Sequence, residues 1–515
     1  MKRLKNFALD NTQWKKSIPV PVYDEKPEYI AFYERAWELA HDHIKDIQGL
    51  PQTPYMDEAF CNTDIWIWDT CFMMFFCKYA PDVFPGIETL VNFYKIIHDA
   101  WPLPIVRIKD GKPPRKADGP DDVKQLCLHI PDNPPLFAWA ELNYAMMTGD
   151  REHLRKLLLE ERYLQKHFSF LENLTEKGWK TKFTRAPTCL VKRPDGYYWE
   201  GGRSGMDNTP RGREGNHASA ERPNNPKMLW IDAISQQALS CLCISRIAAL
   251  LDEEELRAEW EKRYSIFKEK INRLYWDDAD GMYYDLLETT MEKIPILTPA
   301  SFWPLLAEIP GKEQANRMCH ALEDTEKLGG AVPWVSLSRD DSDFSELGDY
   351  WRGSVWLPTA YMGTKGLEKY GHFKLAHACA RKILDHMYRT WREYEPHTIW
   401  ECYDPVRCSP ARTCRNEQLV RPDFCGWSAL GPISLFIENV IGITGASAFT
   451  NTVEWHLPEN SKDAIGIRNY TFGSVTADMI YHDGLLETVS DAPFTLLLDR
   501  HVCAVPAGKS SQQIQ

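Results

Sequence analysis

Apolar residues recur at helical spacing in segment after segment of this 515-residue chain, and the strict alternation of a half-buried strand is scarce until the last seventy residues or so. Helical stretches run over about 27–49, 86–100, 136–148, 150–174, 229–251, 253–274, 311–323, 354–370, 372–392 and 427–441. Long loops bearing Gly, Pro and Trp separate them, at 51–69, 101–135, 180–228, 324–353 and 393–426. Loops of that length are more than connectors in a compact domain, and a site or a lid is the usual reason for keeping them. Helices in consecutive antiparallel pairs can close into a ring with such loops gathered at one end. The pattern therefore predicts an all-α toroid with a funnel at its loop end, and no short repeat points instead to a solenoid. Past about 445 the pattern turns to short β-rich segments, such as Asn451 to His456 and Tyr470 to Ile480. The expected organisation is a helical domain over 1–445, a small β-rich appendage over 446–507 and a frayed tail over 508–515.

Aromatic residues make up 12% of the chain, with 19 Trp and 22 Tyr. Either they fill a Trp-rich core, or some of them cover the C–H faces of a sugar while polar neighbours take its hydroxyls. A net charge of -13 argues against nucleic acid and anionic membrane as partners, since the average field repels both. A neutral or small substrate fits better, and it is a small carbohydrate if the aromatics cover a sugar instead of filling a core. The basic N-terminus carries no apolar stretch of signal-peptide length, and no membrane-spanning run is apparent, so a cytoplasmic protein is expected. The 14 cysteines are scattered, several within helical patterns, which predicts buried free thiols. The densest group, Cys402, Cys408, Cys414 and Cys425, lacks the paired spacing of a zinc site, and neither a metal nor a cofactor is expected. Oligomeric state is not encoded legibly, and a homo-oligomer is compatible with all of this.

Three loops combine an acid, aromatics and a backbone-shaping Gly or Pro. The first, Asp64-Ile-Trp-Ile-Trp-Asp69, leads into an apolar segment; Asp69 there either caps a helix or, with Trp68, holds a sugar. The second runs from Trp199 through Glu200, Gly201, Gly202, Arg203, Ser204, Gly205, Met206, Asp207 and Asn208 to Thr209-Pro210-Arg211. Its glycines free the backbone to present Asp207 in an unusual turn, which can also be a plain Asx-turn or helix cap. The third holds Trp400-Glu401-Cys402-Tyr403-Asp404-Pro405 and ends in Gly426-Trp427-Ser428. A Glu between aromatics is a carboxyl whose pKa desolvation raises. Two carboxyls on opposite walls of a cleft suffice to hydrolyse a glycosidic bond, one protonating the leaving oxygen and the other activating water. Among 73 acids, such a pair needs context to stand out.

Four motifs supply it. Gly205-Met206-Asp207-Asn208-Thr209-Pro210-Arg211, Tyr350-Trp351-Arg352-Gly353-Ser354-Val355-Trp356-Leu357-Pro358, Ile399-Trp400-Glu401-Cys402-Tyr403-Asp404-Pro405 and Gly426-Trp427-Ser428-Ala429-Leu430 resemble, in order, motifs of glycoside hydrolase family 63, which has kinship with the family 37 trehalases. The resemblance spans roughly 55–440 and implies an (α/α)6 barrel and inversion at the anomeric carbon. It also implies Asp207 as general acid and Glu401 as general base. By the same resemblance Trp68, Asp69, Arg211, Trp351, Arg352, Trp356 and Trp427 line the subsite of the non-reducing sugar, and Asp132 to Trp139 forms a loop-to-helix entry.

The expected function is then an inverting, exo-acting α-glycosidase that removes a terminal α-linked hexose, glucose first, from a disaccharide, short oligosaccharide or small glycoside. Two departures bear on specificity. Gly202 and Arg203 lengthen the loop after Glu200, and the segment Val406 to Phe424, with Arg407, Arg412 and Arg415, is long and basic enough for a lid. Arg203, Arg211, Arg213 and Arg222 near the acid either pair with the interleaved Glu200, Glu214 and Glu221 or bind an anionic leaving group, as in mannosylglycerate or glucosylglycerate. The rivals are a sugar epimerase using His217 and His397, and a carbohydrate-binding protein without chemistry. Phosphorolysis would need a phosphate loop, and the sequence has no Gly-rich one.

Overall fold

The computed structural model describes residues 12–46, 50–58, 65–99, 105–107, 123–125, 128–129, 133–174, 190–199, 201–212, 228–413, 418–459 and 462–514. Its main helices are α1 (Tyr29–Asp42), α2 (Ile67–Cys77), α3 (Gly86–His98), α4 (Phe137–Thr148), α5 (Tyr163–Glu172), α6 (Ile231–Leu250), α7 (Glu254–Leu274), α8 (Trp303–Leu306), α9 (Lys312–Glu323), α10 (Leu357–Lys369), α11 (Phe373–Glu393) and α12 (Gly431–Ile441), the last wound as a π-helix.

Two kinds of helix alternate along the chain. Every residue of α2 and of α12 is buried, and α6 is buried along nearly its whole length. By contrast α7 buries only Trp260 and Ile271, opens with Glu254 and Glu255 at its positive end and carries charge over the rest of its surface. The buried helices form the inner layer. Each of α2, α4, α6, α8, α10 and α12 touches the next, and α12 with its lead-in turn Ser428–Leu430 touches α2 again. Outside them α3 packs on α2, α5 and α7 on α6, and α11 on α10 and α12. A helix apolar all round leaves no period to read, which is why Ile67–Cys77 is not among the periodic stretches; only the capping chemistry of Asp69 pointed to a helix there, and it starts earlier than that reading placed it. α6 is long and apolar enough to cross a membrane, yet 83% of that stretch is buried inside the protein, as in a core helix.

The entrances to α2, α4, α10 and α12 gather at one end through Trp68, Asn133, Trp351, Trp356 and Trp427. The exits of α2, α10 and α12 meet at the other end on one buried carboxylate. Glu438 accepts hydrogen bonds from Lys78 Nζ at 2.8 Å, Tyr79 OH at 2.6 Å and Tyr361 OH at 2.9 Å, and pairs with Lys365 at 2.5 Å. Lys78, at the C-cap of α2, also suits the negative end of that helix dipole.

The C-terminal region is β-rich, as expected, but larger than the predicted appendage. One sheet orders Val20–Tyr23, Ile465–Phe472, Val475–His482, Leu485–Ser490 and Gly508–Gln513, and a second orders Gly445–Ser447, Thr452–Trp455, Phe494–Leu498 and His501–Val505. Two corrections follow. Residues 508–513 are not a frayed tail but an edge strand antiparallel to Leu485–Ser490, in which the hydroxyls of Thr488 and Ser510 lie 2.7 Å apart. That strand is polar and mostly exposed, so it carries no apolar alternation to read. The N-terminal Val20–Tyr23 pairs with Ile465 to Arg468, so the β-unit draws on both ends of the chain. It rests on the helices through Trp455, whose indole N–H donates to Ile441 O, and through backbone bonds from Ala448 and Gly473 to the end of α4.

Candidate active site

The loop end of the inner helices is lined by an aromatic cluster. Trp351 and Trp356 stack with centroids 4.1 Å apart, Trp356 lies 5.7 Å from Trp427, and Trp68 lies 6.1 Å from Trp351 and 6.0 Å from Trp427. Four tryptophans singled out from three separate motifs thus meet in space. The Asp207 loop runs directly against them. Gly205 has φ +83, and a Cβ there would come within 2.5 Å of the Trp68 indole, so both the backbone conformation and the close approach demand glycine. Asn133 ties this wall together, its amide accepting from Trp68 N–H at 3.3 Å and donating to Arg203 O at 3.0 Å.

Glu401 is 2% exposed. Its Oε1 accepts from the Tyr350 hydroxyl at 2.9 Å and its Oε2 from Arg421 N–H at 3.3 Å. Burial raises its pKa above the ordinary glutamate value, while the Tyr350 hydrogen bond and the Arg421 N–H and charge work against that rise. The main chain of Glu401 is equally fixed: Trp427 Nε1 and Ser428 Oγ both donate to its carbonyl, at 2.9 and 3.1 Å. Burial drives the Tyr350 phenol well above its usual range, and the charges of Glu401 and Asp207 add to that rise, so both acids act on one hydroxyl. Asp207 is half-buried. Its neighbour Asn208 donates to Asp349 O at 2.9 Å and accepts from Trp351 N–H at 2.7 Å, and Arg352 Nε donates to Asn208 O at 3.2 Å.

Two expectations change. Arg211 is 1% exposed and spans two carboxylates, Asp232 at 2.7 and 3.0 Å and Asp285 at 2.7 and 2.8 Å, with Trp230 beneath its guanidinium at 4.6 Å. It braces the acid loop from behind instead of lining a sugar subsite, because its donors are committed to acids remote in sequence. Asp69 does not cap its helix: α2 begins at Ile67, two residues earlier, and Asp69 lies buried in the first turn. Tyr350, Asn208, Asn133 and Arg421 are given no site role by the sequence reading; the first three stand inside quoted stretches, whereas Asp285, on a short strand, carries no motif signal at all.

Asp64, Asp132, Glu200, Arg213, Glu214, His217, Glu221, Arg222, Cys414 and Arg415 lie outside the described residues. His397 sits on the surface beside Glu395, its Nδ1 2.8 Å from Trp391 O. Cys402, Cys408 and Cys425 are free thiols, and no group of three or more potential metal ligands occurs among the described residues.

Residues 129–418 match the family model described as the mannosylglycerate hydrolase MGH1-like glycoside hydrolase domain. An uncharacterized protein of Borreliella burgdorferi is 30% identical over 477 residues, covering 91% of either chain. A cytosolic neutral trehalase of Kluyveromyces lactis is 30% identical over 151 residues, which are 29% of this chain and only 20% of the trehalase. Among solved structures, the GH63 mannosylglycerate hydrolase from Thermus thermophilus in complex with Tris superposes with a TM-score of 0.55 at 19% identity, over 78% of this chain and 99% of that one. A sialidase structure gives a TM-score of 0.65 at 13% identity, over 99% of this chain and 42% of that one. At such identities the structures speak for the fold alone. The family model covers more than half of the sequence and includes both proposed acids, and with it the chain belongs to the MGH1-like glycoside hydrolases of family 63 type.

Proposed function

We propose that the protein is an inverting, exo-acting α-glycosidase on an (α/α)6 barrel, with Asp207 as general acid and Glu401 as general base. The observation that carries this reading is the Glu401 carboxyl, buried beside the tryptophan cluster and hydrogen-bonded to a tyrosine that also feels Asp207. In the proposed reaction a terminal α-linked hexose lies among Trp68, Trp351, Trp356 and Trp427. Asp207 protonates the departing glycosidic oxygen while Glu401 takes a proton from water attacking the opposite face of C1, so the product is the β-anomer. The carboxyls should stand roughly 6.5–9.5 Å apart, leaving room for that water.

For the leaving group, an anionic glycerate-type aglycone is the favoured choice and a neutral sugar the second. What supports that order is the family description, which names mannosylglycerate hydrolase. The test is incubation with α-mannosylglycerate, α-glucosylglycerate, trehalose and aryl α-glucosides, α-mannosides and α-galactosides, with product anomers followed by NMR. First-formed β-hexose from one of them is expected; first-formed α-hexose would replace inversion by retention, and turnover of none of them would remove the α-hexoside reading.

A further inference from the structure

The turn carrying Tyr350 has an unusual backbone. Gly348, Asp349 and Tyr350 follow one another at φ +89, +37 and +64, a left-handed run that two side-chain-bearing residues adopt only at a cost. Such outliers persist where the surroundings over-determine them, and they collect at functional sites. Here the surroundings are explicit. Tyr350 N–H donates to Arg412 O at 3.0 Å, Trp356 Nε1 donates to Tyr350 O at 3.1 Å, and the Asn208 side chain clamps Asp349 and Trp351 on either side. The outcome is a buried phenol whose hydroxyl lies 2.9 Å from Glu401 Oε1.

The geometry points to Tyr350 as a positioning residue for Glu401, and to Asn208 as the tie that sets Tyr350, and through it Glu401, against the neighbouring Asp207. This rests on the assignment of Glu401 as base. Tyr350 donates to one carboxylate oxygen and so fixes the plane of the carboxyl, and it favours the ionised form that a base requires in a place where burial opposes ionisation. Because Asn208 adjoins Asp207 in the chain and holds the turn through three hydrogen bonds, a shift of the acid loop moves the phenol as well. The charged or titratable groups acting on the pair are Asp207, Cys402 and Arg421. A filler role for Tyr350 would need its ring alone; the hydroxyl would then be dispensable.

The deciding experiment compares the full chain with Tyr350→Phe, Asn208→Ala and Glu401→Gln. The Glu401 carboxyl is followed by NMR in protein carrying δ-carbon-13 glutamate, with Glu401→Gln assigning its signal, so the readout needs no substrate. Tyr350→Phe should raise the titration midpoint of Glu401 by about 1–2 pH units, the worth of a hydrogen bond to a charged group. With α-mannosylglycerate or p-nitrophenyl α-glucoside, the acid limb of kcat/KM should move up in parallel, with kcat falling and KM little changed. Asn208→Ala should lower kcat with the fold retained and shift the same midpoint in the same direction. An unmoved midpoint in Tyr350→Phe overturns the inference, and so does an Asn208→Ala protein with wild-type kcat and midpoint. A Glu401→Gln protein with wild-type turnover overturns the assignment of the base instead, and is told apart because the carboxyl titration is independent of it.

Discussion

At the residue scale, three side chains make contrasting predictions. Asp207→Asn and Glu401→Gln each keep shape and remove one proton-transfer group, so each should lower kcat by about 10²–10⁴-fold while leaving the thermal midpoint nearly unchanged. The measurement is steady-state kinetics beside a thermal melt, and more than a few per cent of residual turnover in either variant would count against the proposed pair. Glu401 also sets a sign. Burial raises its pKa, and a base works only when ionised, so activity should fall as pH drops through a value above that of an ordinary glutamate. Arg211→Ala should behave in the opposite way, leaving Asp232 and Asp285 buried and uncompensated. A loss of about 3–5 kcal/mol in stability is expected, read by denaturant unfolding.

At the element scale, the loop that carries Trp334 packs so closely on α10 that glycine is required there. A Cβ on Gly363 of α10 would stand 2.2 Å from the Trp334 ring. Gly363→Ala should therefore destabilise by about 1–3 kcal/mol despite the better helix propensity of alanine, measured as a lowered unfolding midpoint. Gly508–Gln513 offers the complementary case. Removing 508–515 strips Leu485–Ser490 of one of its two partner strands and makes it the sheet edge, so hydrogen exchange should speed up within Leu485–Ser490 while the helices keep their protection. The helical stretches were legible from sequence because most of them carry an apolar face at a 3.6 period. α2 was not legible from periodicity for want of a polar face, only from a capping acid that proved to lie inside it, and the edge strand was not legible for want of an apolar face.

For the molecule as a whole, the two ends of the inner helices are chemically distinct: tryptophans and acids at one, a lysine–glutamate knot at the other. Lys365 and Lys78 outweigh the effect of burial on Glu438 and hold its carboxyl down to about 2. A carboxyl depressed in the folded state contributes stability above its unfolded pKa, and that contribution is lost as pH falls toward the folded value. Unfolding midpoints should therefore decline between about pH 5 and pH 2, and Glu438→Gln should flatten that decline while leaving a less stable protein at neutral pH.

The helical class, the β-rich C-terminal region and the membership of Asp207, Glu401, Trp351, Trp356 and Trp427 in one set of motifs are written in the sequence, because periodicity and local motifs reside in consecutive residues. Only the tertiary structure decided what each residue faces. Arg211 reads as a sugar ligand until Asp232 and Asp285, twenty-one and seventy-four positions away, close on it, and Tyr350 reads as one more aromatic until its hydroxyl meets Glu401. Hydrogen bonds and burial depend on distance in space, and nothing in a local pattern fixes which remote residue a buried donor will find.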